Sequence, residues 1–166
     1  VALSGDGLGV AVGAPLDDGG SAGIDGEQTN NYYDSGAAYV SAEDSGTWQQ
    51  HNYIKSSQLN SSDQFGRFLA LSRDASTLAV AATYEDSSAT GVGGDQSLSG
   101  SYASGAVYVF TRPGGSEWSQ QAFIKSSNTT SYEEFGRSIS LSSNGSTLLV
   151  GTPLEDGADY RLGGNI

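Results

Sequence analysis

A chain that restates itself at a period of tens of residues is built from like units that bury their faces against one another, and this one restates itself about every 70 residues. The stretch 105–153 has the same order of apolar runs, turns and aromatic anchors as the stretch 36–83. Phe65-Gly66-Arg67 returns as Phe135-Gly136-Arg137, Trp48 as Trp118, and Ile54-Lys55-Ser56-Ser57 as Ile124-Lys125-Ser126-Ser127. Leu3-Ser4 recurs at Leu71-Ser72 and Leu141-Ser142, and Asp18 at Asp86 and Asp156. The 166 residues are expected to hold two units and the first half of a third, divided at 1–62, 63–131 and 132–166.

Each unit reads as four short strands. In "SISLS", Ile139 and Leu141 alternate with serines, the period-two pattern of a half-buried strand, and Val1 with Leu3 and Leu69 with Leu71 occupy the same places. "TLAVAA" and "TLLVGT" are apolar on both faces and suit inner strands covered from two sides. "GAAYVS" and "GAVYVF" supply a third strand rich in β-branched and aromatic residues, and a fourth runs from Trp48 to Lys55 or from Trp118 to Lys125. Asp6-Gly7 and Asn144-Gly145 mark tight hairpins between the first two strands. With no 3.6-residue period anywhere, the fold class is all-β, with four-stranded antiparallel blades of a β-propeller-like repeat.

Composition narrows the partners. Seven Lys and Arg against 19 Asp and Glu give a net charge of −12, which repels phosphate backbones and anionic headgroups, so no nucleic acid and no membrane insertion are expected. The absence of Cys excludes disulfides and thiol chemistry. The Ser, Thr and Gly bias with few lysines suggests a secreted, extracellular chain. A start without Met and a close in mid-pattern suggest a piece of a longer polypeptide.

Phe135-Gly136 followed by "RSISLSSNGSTLLVGTP", together with Gly13-Ala14-Pro15, an acidic loop and "SGAVYVF", resembles the FG-GAP repeat of integrin alpha propellers and secreted microbial proteins. The resemblance covers essentially the whole chain, and the long-loop microbial form is the nearer one. It implies propeller blades, an extracellular place and ligand binding or adhesion without catalysis. Integrin-type repeats often carry a calcium loop of alternating aspartates in the first hairpin. Here that hairpin holds only Asp6, Asp74 or Asn144, too few oxygens for calcium, so these residues are expected to form turns.

A second acidic feature lies on the long loops. Asp18, Asp86 and Asp156 are each followed some nine residues later by Glu27, Asp95 and Asn165, oxygen donors of the kind a hard cation such as Ca2+ takes. The competing reading is that Asp18, Asp86 and Asp156 accept hydrogen bonds from their own loops. His51 has Gln121 as its counterpart and no catalytic spacing around it, so it reads as a strand-face residue. Trp48 and Trp118 read as structural anchors before sugar-stacking platforms. Lys55, Lys125, Arg67 and Arg137 are expected to pair with loop carboxylates. Asn60, Asn128 and Asn144 stand in N-glycosylation sequons.

The function these features support is a noncatalytic extracellular module for adhesion, ligand binding or assembly. The alternative is a structural filament built by completing sheets between chains. Its partners would be other copies of itself or the rest of a longer polypeptide, and an extracellular protein or glycan. "TLLVGT" would present an edge that another strand covers.

Overall fold

The computed structural model describes residues 1–115 and 117–156. The fold is all-β, and among the described residues the one helical turn is a short 3-10 turn at Pro113–Gly115. Strands β1 (Ala2–Leu3), β2 (Gly9–Ala14), β3 (Ala37–Asp44) and β4 (Thr47–Ile54) form one antiparallel meander in chain order. Strands β5 (Phe65–Leu71), β6 (Thr77–Ala82), β7 (Ala106–Thr111) and β8 (Ser119–Ile124) form a second of the same order, and β9 (Ser138–Leu141) pairs with β10 (Leu148–Gly151) in a third sheet. These are the propeller-like blades expected from the strand pattern.

The first hairpin of every unit closes the same way. Asp6, Asp74 and Asn144 each take the hydroxyl of the serine two residues back and the amide two residues on, at 2.6–3.1 Å. Each serine oxygen in turn accepts the amide of the returning strand, from Gly9, Thr77 or Thr147. The side chains do what the backbone would otherwise leave undone at a two-strand corner.

Burial follows the position of each strand in the stack. Every residue of β6 is buried, because it is an inner strand with sheets on both sides. Its Leu78, Val80 and Ala82 pack with Tyr108, Phe110 and Phe123 against Ala11, Ala38, Val40 and Ile54 of the first sheet. Its other face, Ala79 and Ala81 with Val107, packs against Phe135, Ile139, Leu148 and Val150 at the third sheet. The counterparts on the outer side of the first sheet, Val1, Leu3 and Val12, are exposed.

The long loops between second and third strands guard the outer strands. Ile24 bridges to Ile54 at the end of β4, and Val92 bridges to Ile124 at the end of β8, so part of each unpaired strand edge is covered within its own unit.

Candidate functional site

The long-loop end of the blades holds the buried lysines and their carboxylate partners, and its arrangement follows from two sets of backbone contacts. The segment entering the second unit lies along the end of the first long loop, with Ser62, Gln64 and Phe65 amides donating to the carbonyls of Tyr33, Asp34 and Ser35. One unit later, Tyr132, Glu134 and Phe135 donate to Tyr102, Ala103 and Ser104. Gly66, at φ 93°, brings the chain so close to the first sheet that a Cβ there would sit 2.1 Å from the Ala37 carbonyl oxygen. A Cβ on Gly13 would lie 1.8 Å from the Gly66 carbonyl oxygen, so the Phe-Gly of one unit rests on the Gly-Ala-Pro of the one before.

Residues 118–164 match the FG-GAP repeat family. The chain carries an FG-GAP repeat. Phe135-Gly136 within that stretch is the counterpart, one unit on, of the Phe65-Gly66 in the contact just described. No curated protein and no solved structure matches the chain.

Behind the Phe-Gly turn each of the two full repeat units buries a lysine. Lys55 donates to Asp17 at 2.9 Å and to the Ser35 hydroxyl at 2.8 Å, and Lys125 donates to Glu85 at 2.5 Å and to the Ser104 hydroxyl at 2.6 Å. Both lysines are pushed down by burial, against which the partner carboxylate works. Burial also pushes Asp17 up, but hydrogen bonds from Tyr53, Lys55 and Gly19 hold its carboxyl below the usual range. Asp63 sits beside the second pair, itself buried, and burial together with the Glu85 charge pushes it up to about 8. Its counterpart Glu133 is held by the hydroxyls of Ser126 and Thr130.

The carboxylates singled out as cation candidates occupy several kinds of place. Asp18 accepts the Asp34 amide and Asp86 the Ala103 amide, both at 2.7 Å across their own loops. Asp95 accepts the amide and hydroxyl of Ser97, while Glu27 and Asp156 are exposed and Asn165 lies outside the described residues. Among the described residues no three Asp, Glu or His side chains converge as a metal cage would require. The three sequon asparagines are exposed, with Asn144 engaged in its hairpin and Asn128 donating to Glu155 at 2.6 Å.

Three of the four repeated cations meet carboxylates. Lys55 and Lys125 do so in the core and Arg137 with Glu134 at 2.6 Å near the surface, whereas Arg67 bonds Gln64 and lies over the Tyr84 ring at 5.2 Å. Trp118 is 5% exposed and anchors the core with Arg112 over its ring; Trp48, on the uncovered face of the first sheet, is 49% exposed. His51 sits on β4 against Asp44 at 2.6 Å.

One feature escaped the sequence reading. Beside Asp86 a groove of about 430 Å³ opens between the entering segments of the second and third repeat units, lined by Tyr84, Tyr102, Tyr132 and Glu134 with Ser61 and Ser62. The amide of Tyr132 donating to the Tyr102 carbonyl brings the two rings to 5.4 Å between centroids. The signal was a break in the repeat: Tyr84 stands where Leu16 and Leu154 stand in the other units, and Tyr132 where Ser62 stands.

Proposed function

We propose that the chain is a noncatalytic extracellular repeat module that works by association, binding or adhering through its loop end. The observation that carries this reading is a division of labour among its polar residues. Those that recur as the lysine pairs and the hairpin Asx turns are spent on scaffold, whereas Tyr84 and Tyr132, which do not recur, join the recurring Tyr102 and Asp86 to line an open groove. FG-GAP families are generally noncatalytic and extracellular, which fits. No helix among the described residues is long and apolar enough to cross a membrane.

The test is retention of protein-coated beads on arrays of immobilised extracellular proteins, lipids and glycans, with hydrolysis of the same glycans followed in parallel. Retention without turnover is expected. Turnover, or retention on nothing, overturns the reading.

Assembly with further copies is a second reading, favoured by one observation. Val1, Leu3, Val12 and Trp48 on the first sheet are exposed where their counterparts Leu69, Leu71, Val80 and Trp118 pack against a neighbouring sheet. Among the described residues β10 pairs with β9 alone. Sedimentation over a concentration series tests it, and a single species throughout would sink it.

A further inference from the structure

The tyrosine groove has the composition of a site for one class of ligand. Tyr102 and Tyr132 are 59% and 62% exposed, their rings tilted at 60° to each other, so each offers a face to solvent. Tyrosine provides broad, rigid, amphipathic contact at little cost in side-chain entropy. The cavity of about 430 Å³ falls within the range of small-molecule sites, roughly 300–1,000 Å³. The ring of Tyr132 is not asked for by the fold, because Ser62 serves the same backbone position one unit earlier, with φ 71° against 69°. A bulky residue held in the left-handed region is uncommon, and its side chain needs a reason to be there.

The charges around the groove choose among ligands. Glu134 is paired with Arg137, and Arg67 is engaged by Gln64 and the Tyr84 ring, so the basic groups nearby are already occupied. With a net charge of −12 over the chain, an anionic ligand finds no counter-charge. Asp86 Oδ1 accepts the Ala103 amide at 2.7 Å, which leaves its second oxygen toward the groove. What the walls still offer is hydrogen-bonding capacity. Asp86 keeps acceptor sites on its second oxygen, and the Ser61 and Ser62 hydroxyls donate and accept. Flat aromatic faces ringed by carboxylate acceptors already engaged by protein donors and by hydroxyls match a molecule with apolar C–H faces and an equatorial rim of hydroxyls.

We infer that the Tyr84–Tyr102–Tyr132 groove binds a neutral saccharide, stacking a sugar ring on Tyr102 and Tyr132 and hydrogen-bonding its hydroxyls to Asp86 and Ser61 or Ser62. This rests on the association reading above and names the ligand class for it.

The experiment is saturation-transfer NMR on the chain with a panel of neutral oligosaccharides (maltohexaose, cellohexaose, laminarihexaose, mannohexaose and N-acetylchitohexaose), beside a heparin hexasaccharide, a chitosan hexamer and a lysine peptide. Tyr84→Leu/Tyr132→Ser restores the residues that the other units carry and is compatible with the scaffold. Tyr102→Phe/Tyr132→Phe keeps the stacking faces, and Tyr33→Ala alters the counterpart loop. The expected result is transfer to at least one neutral oligosaccharide, weakened about tenfold or more in affinity by Tyr84→Leu/Tyr132→Ser and little changed by the Phe pair or Tyr33→Ala. Transfer to none of the neutral sugars, transfer that survives Tyr84→Leu/Tyr132→Ser, or binding confined to heparin, chitosan or the peptide overturns the inference. Bead retention on proteins or lipids alone would leave the association reading standing and remove the sugar.

Discussion

The two buried lysines occupy one position in two successive units, yet their surroundings differ. Lys55 faces an aspartate whose side chain is 18% exposed and which also accepts the Tyr39 and Tyr53 hydroxyls, at 3.1 and 2.7 Å. Lys125 faces a glutamate 2% exposed, Phe123 replaces Tyr53, and the buried Asp63 adds a further carboxyl group. The first site has spare hydrogen bonds and is partly exposed. At the second, which is buried, Glu85 has among the described residues only the Ser87 amide at 3.1 Å besides Lys125. Repetition of sequence therefore does not imply repetition of energetics, since a desolvated charge has fewer substitutes for its partner.

Removing each lysine should separate the two sites most. Lys125→Met leaves Glu85 only the Ser87 amide, beside Asp63, and is expected to cost about 3–5 kcal/mol, whereas Lys55→Met leaves Asp17 three donors and should cost about 1–2 kcal/mol. Urea denaturation at neutral pH measures both. Adding Glu85→Gln to Lys125→Met should recover part of the loss, and equal losses at the two lysines would erase the distinction.

The glycine contacts make a parallel pair. A Cβ on Gly66 meets the Ala37 carbonyl oxygen at 2.1 Å, whereas a Cβ on Gly136 meets the Ala81 and Val107 methyls at 3.0 Å. Backbone cannot step aside as side chains can. Gly66→Ala should cost about 3 kcal/mol or more and Gly136→Ala about 1–2, both including the penalty of positive φ. Thermal unfolding of the two variants gives the order, and a larger loss at Gly136 would reverse the comparison.

Asp63 sharpens it through pH. Its carboxyl keeps its proton in the folded chain up to a pH of about 8, while an unfolded aspartate releases it near 3.9, so between these values the folded state binds the extra proton and stability falls as pH rises. The contribution is whole below pH ~4 and lost above pH ~8. Glu85, Asp86, Tyr108 and Lys125 face this group along with Asn60, and only Lys125 and Asn60 favour its charge. Asp63→Asn, neutral throughout, should match wild type near pH 4 and exceed it by on the order of 2 kcal/mol near pH 9. A gap that does not widen with pH would remove Asp63 from the second lysine's account.

Much of this was legible in the chain. The period, the four-strand order and the buried inner strand "TLAVAA" followed from apolar alternation and turn residues, which act locally. The lysine pairs were expected only as pairing with loop carboxylates. Which carboxylate, and how dry, depends on long-range stacking that local pattern does not encode: Lys125 and Glu85 are 40 residues apart. The groove was hidden for a related reason. Tyr84, Tyr102 and Tyr132 come from three segments that meet only when a linker docks on the preceding loop. Asp63 could have been noticed from its echo in Glu133, but its burial could not.

The smallest effects belong to the long loops, where bracing and cation binding predict opposite responses. Asp86 ties residue 86 to residue 103 through a 2.7 Å bond from the Ala103 amide, while Asp95 closes only a turn to Ser97 on an exposed tip. Bracing makes Asp86→Ala cost about 1 kcal/mol and Asp95→Ala a few tenths, with Asp18→Ala matching Asp86→Ala because it holds the Asp34 amide alike. Asp86→Asn keeps an acceptor oxygen and should fall between the alanine variant and wild type. A calcium site would instead tie Asp86 to Asp95, so that millimolar calcium raised the unfolding midpoint of wild type and did nothing for Asp86→Asn/Asp95→Asn. The hydrogen bonds on these loops favour the first pattern: midpoints unchanged by calcium in both proteins, and Asp86→Ala costlier than Asp95→Ala. A calcium-dependent rise seen only in wild type would give the loops a ligand, and Asp86 would then join cation to groove.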